Sequence, residues 1–341
     1  MTPADLSRTV LRSVRGAVDE KELSVPVPAR IAVRPSRRAG CGDYASNVAL
    51  QLAKEAGRPA REIAEILRRR LVGSAGIARV EIAGPGFLNF TLGDGAQAAL
   101  VRDVLAGGDR YGARAPGEAL ADGQLPGGAR GLVVAQALGR MTAAAGAGRL
   151  QRSVPASAAD EKELAGIVAR LGDDEARWAL LRPAARDAVR LPERPVQREE
   201  NPRFRVQYAH ARTRALVRNA GDLGFVSEPG EVVTPAADGA GPASRAPAAQ
   251  TSATHDLVGL LATYPAAVEA AVRHRAPDRT VRHMEATADT FLRWHDACPP
   301  LPVGERKPSA VHRARLALAE ATGTVLANGL RLLGISAPEH L

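Results

Sequence analysis

The sequence is poor in aromatic residues. Phenylalanine, tryptophan and tyrosine make up 3% of its 341 residues, although 45% of the residues are hydrophobic. Alanine is the most frequent of these apolar residues, which favours closely packed helices over a β-sandwich built from aromatic and β-branched residues. The chain is long enough to bury the cores of two or three domains.

Cysteine is also scarce. Cys41 and Cys298 stand far apart and form no CxxC pair, which argues against a disulfide framework or a cysteine-based zinc site. We expect two buried, reduced thiols. The first 20 residues contain no apolar segment followed by a cleavage site, and no run of 18 apolar residues occurs. We therefore expect a soluble, cytoplasmic protein with no membrane partner.

Lysine contributes only four of the 46 basic residues, and acidic residues number 37, so the formal net charge is +9. A basic protein favours an anionic partner, with nucleic acid as the first candidate. The excess of arginine, alanine, glycine and proline is also what a nucleotide bias in the gene would produce. The position of the charges therefore decides more than their sum.

Residues 1–93 combine helical and strand patterns. Three stretches have apolar residues at helical spacing, at about residues 1–20, 46–57 and 59–71. Asp43 or Ser46 is expected to cap the second helix and Gly57 to end it. The following stretch, "ARVEIAGPGFLNFTL", predicts two short strands around a turn. We predict an α+β domain in which helices pack on a small antiparallel sheet.

The rest of the chain divides into a linker and a helical domain. Residues 94–165 are predicted to be a linker with one short helix, "GLVVAQALGRMTAAAG". Residues 166–341 are predicted to form an all-α bundle, whose last three helices lie at about 255–275, 278–297 and 309–333. Within it, residues 227–253 are rich in proline, glycine and alanine and are predicted to be a disordered insertion.

The stretch "NPRFRVQYAHARTRALVRNA" (201–220) carries five arginines on one predicted helix. Asn201 suits the N-cap and Pro202 the first helical position. A buried arc is predicted for Val206, Ala209, Leu216, Val217 and Ala220.

We label the helix predicted at 201–220 α8. A separate polar stripe on it contains no acidic residue, and we call it the α8 stripe: Arg203, Gln207, His210, Arg214 and Arg218. Such a stripe suits contact with phosphates, and Tyr208 beside it could stack on a base. A solvated, arginine-rich face is the alternative, and the residues alone do not choose between the two.

The same stretch resembles the first helix of the anticodon-binding domain of arginyl-tRNA synthetases. "LGDDEARWALL" (171–181) is similar to the segment that gives this domain its D-A-L-R name. "VHRARLALAEATGTVLANGLRLLGISAPEHL" (311–341) is similar to its last helix and tail. "GDYASNVALQLAKEAGRPAREIAEIL" and "VEIAGPGFLNF" resemble the N-terminal tRNA-contacting domain of this family. The resemblance implies a helical bundle of the DALR anticodon-binding type after the α+β domain.

The family's catalytic domain opens with an H-x-G-H-x-R motif whose histidines stabilise the phosphates of ATP. Here "LPGGAR" (125–130) occupies that position, with Leu125 and Gly128 in place of the two histidines. Most of the catalytic domain and its K-M-S-K-S-like loop are missing, so that residues 94–165 would be a degenerate remnant. Leucine and glycine side chains cannot donate hydrogen bonds to phosphate charge, and no GxxxxGK[ST] sequence occurs.

We therefore predict no catalytic residues, no bound ATP or other cofactor, and no metal site. The histidines are scattered over the helices. His283, with Trp294 and His295, is expected to be a packing or surface residue rather than a metal ligand.

The resemblance also implies tRNA-contacting residues. On the side of the tRNA elbow, Phe87 would stack on a base and Asn89 would bind a base edge, although Phe87 also suits the core of a small domain. On the anticodon side it implies Tyr208 and the α8 stripe, with Leu341 where the family has a terminal methionine. Buried packing is the alternative role for Tyr208.

Three functions remain open at this stage. The first is a non-catalytic relative of arginyl-tRNA synthetase that binds tRNA, with arginine tRNA as the first candidate, through elbow and anticodon-stem contacts. The second is a subunit of an arginine–tRNA ligase that needs a separately encoded catalytic chain. The third is a protein-interaction scaffold that keeps the fold but has lost RNA binding. Salt-dependent affinity for tRNA distinguishes the first from the third.

Overall fold

A computed structural model describes residues 1–36, 42–93, 95–113, 125–146, 157–194, 198, 200–233 and 245–341. The chain divides into two compact units, Met1–Leu100 and Val101–Leu341. A small antiparallel sheet with helices lies in the first unit, and the described part of the second unit is helical. The predicted fold class is therefore confirmed. None of the described helices is long and apolar enough to cross a membrane.

The first unit contains helices α1 (Pro3–Asp19), α2 (Val48–Ala56) and α3 (Ala60–Leu71) and strands β1 (Val33–Pro35), β2 (Tyr44–Ser46), β3 (Ile77–Ala83) and β4 (Phe87–Leu92). The four strands form an antiparallel sheet in the order β1-β2-β4-β3. Strands β3 and β4 were predicted, whereas β1 and β2 were not. Each of these has only three residues, too few to show an alternating pattern. Helix α4 (Ala96–Gly107) spans the division between the units.

Apolar residues from α1, α3 and the sheet fill the core of the first unit: Leu6, Val10, Val14, Ile63, Leu67, Leu71, Leu88 and Phe90. The prediction of Asp43 or Ser46 as the N-cap of α2 is wrong, because Asn47 occupies that position and makes no side-chain cap bond. The carboxylate of Asp43 accepts a hydrogen bond from the Leu92 amide at 2.7 Å and so holds the end of β4. Ser46 does accept from the Val48 amide at 3.3 Å, and Gly57 ends the helix with φ at 59°.

The second unit contains helices α5 (Gly128–Ala144), α6 (Ala158–Leu171), α7 (Asp173–Leu181), α8 (Pro202–Asp222), α9 (Arg245–Arg273), α10 (Asp278–Ala297) and α11 (Ala310–Leu333). Helix α10 packs against α8, α9 and α11, and α8 also packs against α11. Five aromatic side chains are buried in the described part of this unit: Trp178, Phe225, Tyr264, Phe291 and Trp294.

Helix α5 belongs to this helical unit, although the sequence placed it in a linker. It packs against α6, α7, α9 and α11. The guanidinium of Arg140 donates to the backbone oxygens of Leu332 and Leu333, at 3.1 and 2.8 Å, and so satisfies carbonyls at the end of α11.

The predicted disorder of residues 227–253 is wrong for its last part. Helix α9 begins at Arg245, and Gln250 on it donates to the Ala297 oxygen at 3.0 Å. Alanine-rich sequence is a good helix former once such contacts hold it. At the other end, the Glu228 amide donates to the Arg313 oxygen at 3.1 Å. Residues 234–244 lie outside the described residues, as does Cys41, whereas Cys298 is buried and reduced.

Candidate nucleic-acid interface

Helix α8 begins as its sequence predicts. The side-chain oxygen of Asn201 accepts a hydrogen bond from the Arg203 amide at 3.0 Å, and Pro202 occupies the first helical position. The α8 stripe, however, is divided. Its first three residues are buried, with Arg203, Gln207 and His210 exposing 8%, 2% and 4% of their surface, whereas Arg214 and Arg218 face solvent more openly.

Arg203 is neutralised by an acid on the neighbouring helix. Its Nε lies 2.7 Å from the Glu175 Oε2 on α7, and the amide of Asn201 donates to the same oxygen at 2.7 Å. A second guanidinium nitrogen of Arg203 donates to the side-chain oxygen of Gln207. Two nitrogens of Arg203 therefore bond to buried partners. Arg203 positions α8 against α7 and is not open to phosphate in this arrangement.

Gln207 connects α8 to both α7 and the chain's last residues. Its Nε2 donates to the Asp174 Oδ2 at 2.8 Å and to the Ser336 backbone oxygen at 3.0 Å. The Ser336 amide in turn donates to the Asp174 Oδ1 at 2.9 Å. Asp174 stands in the D-A-L-R-like segment 171–181, so this segment anchors the tail that follows α11.

His210 holds the tail further along α8. Its Nδ1 lies 2.9 Å from the Pro338 backbone oxygen, which can only accept, so the ring carries its proton on Nδ1. Burial lowers the pKa of His210 from its usual value, because the charged ring loses solvation. A neutral His210 therefore acts as a donor to the tail and not as a cation.

The outer half of the stripe meets an acid from the tail. Arg214 Nη2 lies 2.9 Å from the Glu339 Oε1, and both side chains are exposed. Arg218 donates to the Glu339 backbone oxygen at 3.3 Å. An acid-free stripe in the sequence thus becomes a stripe with a carboxylate beside it in the fold. The exposed ion pair is weak, because solvent screens it.

Tyr208 is the open aromatic residue of α8. It is 40% exposed and stacks on Phe204, with ring centroids 6.2 Å apart and the planes at 18°. Leu341 is exposed as well. Tyr208, Arg214, Arg218 and Leu341 are therefore the predicted anticodon-side residues that solvent, and hence a large polyanion, can reach.

On the predicted elbow side, Phe87 and Asn89 differ in access. Phe87 begins β4 and is exposed, whereas Asn89 lies within β4 between Ala45 of β2 and Glu81 of β3 and is largely buried. Residues two apart on a strand face the same side of the sheet, so Phe87 and Asn89 share one face. Phe87 is the open member of this pair and does not fill the core.

The sequence "LPGGAR" (125–130) leads into α5 and ends in its first turn. Gly128 adopts a φ of 69°, and the Ala129 amide donates to the Glu163 Oε2 at 2.8 Å. A Cβ on residue 128 would lie 2.8 Å from that same oxygen, so the turn has no room for a side chain while Glu163 is there. Helix N-termini attract anions, and a carboxylate from α6 fills this one.

Arg130, the last residue of this sequence, bonds to backbone carbonyls of the protein through both of its Nη atoms. Its Nη2 donates to the backbone oxygens of Pro183 and Ala184 at 2.7 and 2.8 Å, and its Nη1 donates to that of Asp187 at 3.0 Å. It therefore ties the segment after α7 to the start of α5. No group of three or more His, Cys, Asp or Glu side chains that could hold a metal occurs among the described residues.

Sequence reasoning missed Glu175, Ser336 and Glu339, which all contact the α8 stripe. Glu175 lies within the stretch "LGDDEARWALL" (171–181) that resembles the D-A-L-R segment, and that was the available signal. Nothing in the local pattern of residues 334–341 indicates which side chains the tail will meet.

Family models match two separate parts of the chain. Residues 8–92 match the arginyl tRNA synthetase N terminal domain, and residues 206–341 match the DALR anticodon binding domain. These two parts include the elbow-side strands and the exposed residues of α8.

Three proteins with similar sequences are arginine–tRNA ligases. That of Frankia alni is 27% identical over the whole of both proteins, in an alignment of 568 positions against the 341 residues of this chain. Those of Pseudarthrobacter chlorophenolicus and Paenarthrobacter aurescens are 40% and 38% identical over 181 residues. This is 52% of this chain but only 31% and 30% of those two proteins, so the match spans less than a third of their length.

Two solved structures have a similar fold. The Thermus thermophilus arginyl-tRNA synthetase aligns over 100% of both chains, with a TM-score of 0.59 and 15% identity. The Plasmodium falciparum arginyl-tRNA synthetase aligns over 99% of both, with a TM-score of 0.64 and 9% identity. At such low identity the likeness concerns the fold alone.

Proposed function

The chain belongs to the arginyl-tRNA synthetase family, and we propose that it binds tRNA without attaching arginine to it. The proposal that the chain does not attach arginine is supported by the start of α5 and the residues just before it. There the resemblance places the two ATP-binding histidines, yet the chain has Leu125 and Gly128, and the Glu163 carboxylate lies at the helix N-terminus. A carboxylate in that place repels a triphosphate instead of stabilising it.

The anticodon-side surface supports tRNA binding. Tyr208 offers an exposed aromatic face for a base, and Arg214 and Arg218 offer cations on the same helix. Leu341 adds an apolar contact at the end of the tail. Arg203, Gln207 and His210 serve this surface indirectly, because they hold α7, α8 and the tail together.

The elbow-side contact is proposed for the first unit. Phe87 is exposed at the start of β4 and is able to stack on an unpaired base, with Asn89 behind it on the same face. Arginine tRNA is the first candidate ligand, because the similar proteins of Frankia alni and Pseudarthrobacter chlorophenolicus are arginine–tRNA ligases.

Binding is tested with transcripts of arginine tRNA and of an unrelated tRNA over a salt series. We expect log K to fall by several units per unit of log salt, since about one counterion is released per phosphate contact. The double variant Arg214→Glu/Arg218→Glu should lose at least about tenfold in affinity at low salt. The matched control is Arg186→Glu/Arg279→Glu, which makes the same charge change at two other exposed arginines. Equal losses in the two variants would rule out an interface on α8.

The absence of charging is tested separately. The purified chain, supplied with ATP, arginine and arginine tRNA, should form no arginyl-tRNA above the level without protein. Formation of arginyl-tRNA above that level would overturn this half of the proposal and leave the binding half standing.

A further inference from the structure

An open pocket of about 520 Å³ lies where α7 meets the segment that leads into α8. One part of its lining is apolar and includes Trp178 of α7 with Leu191 and Pro192 of the connecting segment. Another part is cationic and comes from three arginines of that segment: Arg190, Arg194 and Arg198. The stretch of α8 that carries Tyr208, Arg214 and Arg218 takes no part in this pocket.

The three arginines face solvent, and none forms an ion pair or a side-chain hydrogen bond within the described part of the chain. Arg182, which also lines the pocket, differs from them because its Nε is bonded to the Glu285 Oε1 at 2.7 Å. Three unpaired like charges around one concavity repel one another and raise the local concentration of anions. Guanidinium groups match phosphate geometry through paired N–H donors.

Trp178 gives the pocket a second indication of a ligand. Its side chain is buried and lines the pocket, yet its indole nitrogen has no hydrogen-bond partner among the described residues. A buried donor without an acceptor is unfavourable. An acceptor atom bound against this wall would remove that cost, and the indole with Leu191 and Pro192 offers apolar surface for a planar ring.

The two carboxylates that line the pocket differ in their hydrogen bonding. Glu175 is already bonded to Arg203 and Asn201, whereas Glu200 has no partner among the described residues. A free carboxylate disfavours an isolated phosphate but can accept hydrogen bonds from sugar hydroxyls, as it does in nucleotide sites. The volume of the pocket lies within the roughly 300–1,000 Å³ range of pockets that bind small molecules.

We propose that this pocket binds a phosphorylated nucleoside. The arginines hold the phosphate, Glu200 accepts from the ribose hydroxyls and the wall formed by Trp178, Leu191 and Pro192 receives the base. A free mononucleotide and an unstacked nucleotide of a bound RNA present the same chemistry. The second source rests on the proposed tRNA binding, and the first does not.

Calorimetric titration of the full chain with AMP, with inorganic phosphate and with an arginine-tRNA transcript tests the proposal. The test variant is Arg190→Gln/Arg194→Gln/Arg198→Gln. The control variant is Arg186→Gln/Arg279→Gln/Arg306→Gln, which removes three exposed arginines of the same unit outside the pocket. All six side chains are exposed, so both variants should melt at the temperature of the wild type.

Two results would support the pocket. AMP binds tighter than phosphate, and its affinity falls at least about tenfold in the test variant only, which identifies a free mononucleotide as the ligand. In the second result, AMP does not bind, but the affinity for tRNA falls at least about tenfold further in the test variant than in the control. This result identifies a nucleotide of the bound RNA as the ligand.

Equal AMP and tRNA affinities of the two variants would overturn the pocket while leaving tRNA binding on α8 intact. If the wild type binds neither AMP nor tRNA, both the pocket and the proposed tRNA binding are overturned. If the wild type binds AMP but not tRNA, and only the test variant loses AMP binding, the proposed tRNA binding is overturned and the pocket stands.

Discussion

The guanidinium of Arg203 and the carboxylate of Glu175 form a buried ion pair that joins α8 to α7, with Nε 2.7 Å from Oε2. Their side chains are only 10% and 8% exposed. The pair sits at the first turn of α8, where Asn201 caps the helix and bonds to the same carboxylate. The ion pair therefore fixes the orientation of α8 relative to α7, which lies in the D-A-L-R-like segment.

Removal of Arg203 should be costly, because it leaves Glu175 buried without its cation. We expect Arg203→Met to lower the free energy of unfolding of the second unit by about 3–5 kcal/mol. Arg205→Met is the control, since Arg205 pairs with Asp289 at 2.6 Å but both side chains are more than a third exposed. The control should lose less than about 1 kcal/mol. Urea unfolding followed by tryptophan fluorescence reports on this unit, because Trp178 and Trp294 both lie in it.

Similar losses in the two variants would show that burial does not distinguish the two pairs. A small loss for Arg203→Met alone would mean that water reaches Glu175 once the guanidinium is gone.

Glu339 places a negative charge beside the cations proposed to meet tRNA. Its carboxylate lies 2.9 Å from Arg214, so Glu339→Gln should free Arg214 and remove a repulsion of phosphate. We expect tRNA affinity to rise by roughly two- to tenfold at low salt, and the gain to shrink as salt screens the charges. Glu305→Gln is the control, because it removes one exposed carboxylate away from α8. Equal gains would show an effect of net charge alone, and a lower affinity would mean that Glu339 orders the tail for binding.

The beginning and the buried face of α8 could be predicted because both are local. A cap at Asn201, a proline after it and apolar residues at helical spacing act within one segment of chain. The state of the α8 stripe could not, since its partners are Glu175 on α7 and Glu339 in the tail, and periodicity shows only which side chains share a helix face. A helix without acids is therefore not a helix without acidic neighbours.

The same limit explains the errors around α5 and α9. The sequence of α5 was predicted to be a short helix inside a linker, but the helix packs closely against others because its glycine and alanine side chains allow helices to approach. Arg140 on α5 and Gln250 on α9 then bond to carbonyls at the ends of other helices. Contacts of this kind join distant parts of the chain, and one segment's composition does not contain them.

Tyr208 should contribute to tRNA binding without contributing much to stability. It is 40% exposed and stacked only on Phe204, so Tyr208→Ala should leave the melting temperature nearly unchanged. If the ring stacks on a base, the substitution should weaken tRNA binding by about 1–3 kcal/mol. Tyr208→Phe keeps the aromatic face and should retain the affinity. Loss of binding in Tyr208→Phe would instead assign the contact to the hydroxyl group.

Stability should fall with decreasing pH because of His283. Its Nε2 bonds to the Leu260 backbone oxygen at 3.1 Å and its ring packs against Tyr264, and burial lowers the pKa of His283 to about 4. Its usual pKa is 6.5. Below that value the unfolded chain binds a proton that the folded chain does not, so stability is lost as pH falls from 6.5 towards 4.

The loss attributable to this ring is on the order of 3 kcal/mol over that range, since each pH unit carries about 1.4 kcal/mol. His283→Gln keeps a donor for the Leu260 oxygen but removes the titrating group. We expect its unfolding free energy, measured in urea between pH 8 and pH 4.5, to fall less steeply than that of the wild type. The exposed His274→Gln should follow the wild-type curve. Parallel curves for all three proteins would contradict a neutral, buried His283.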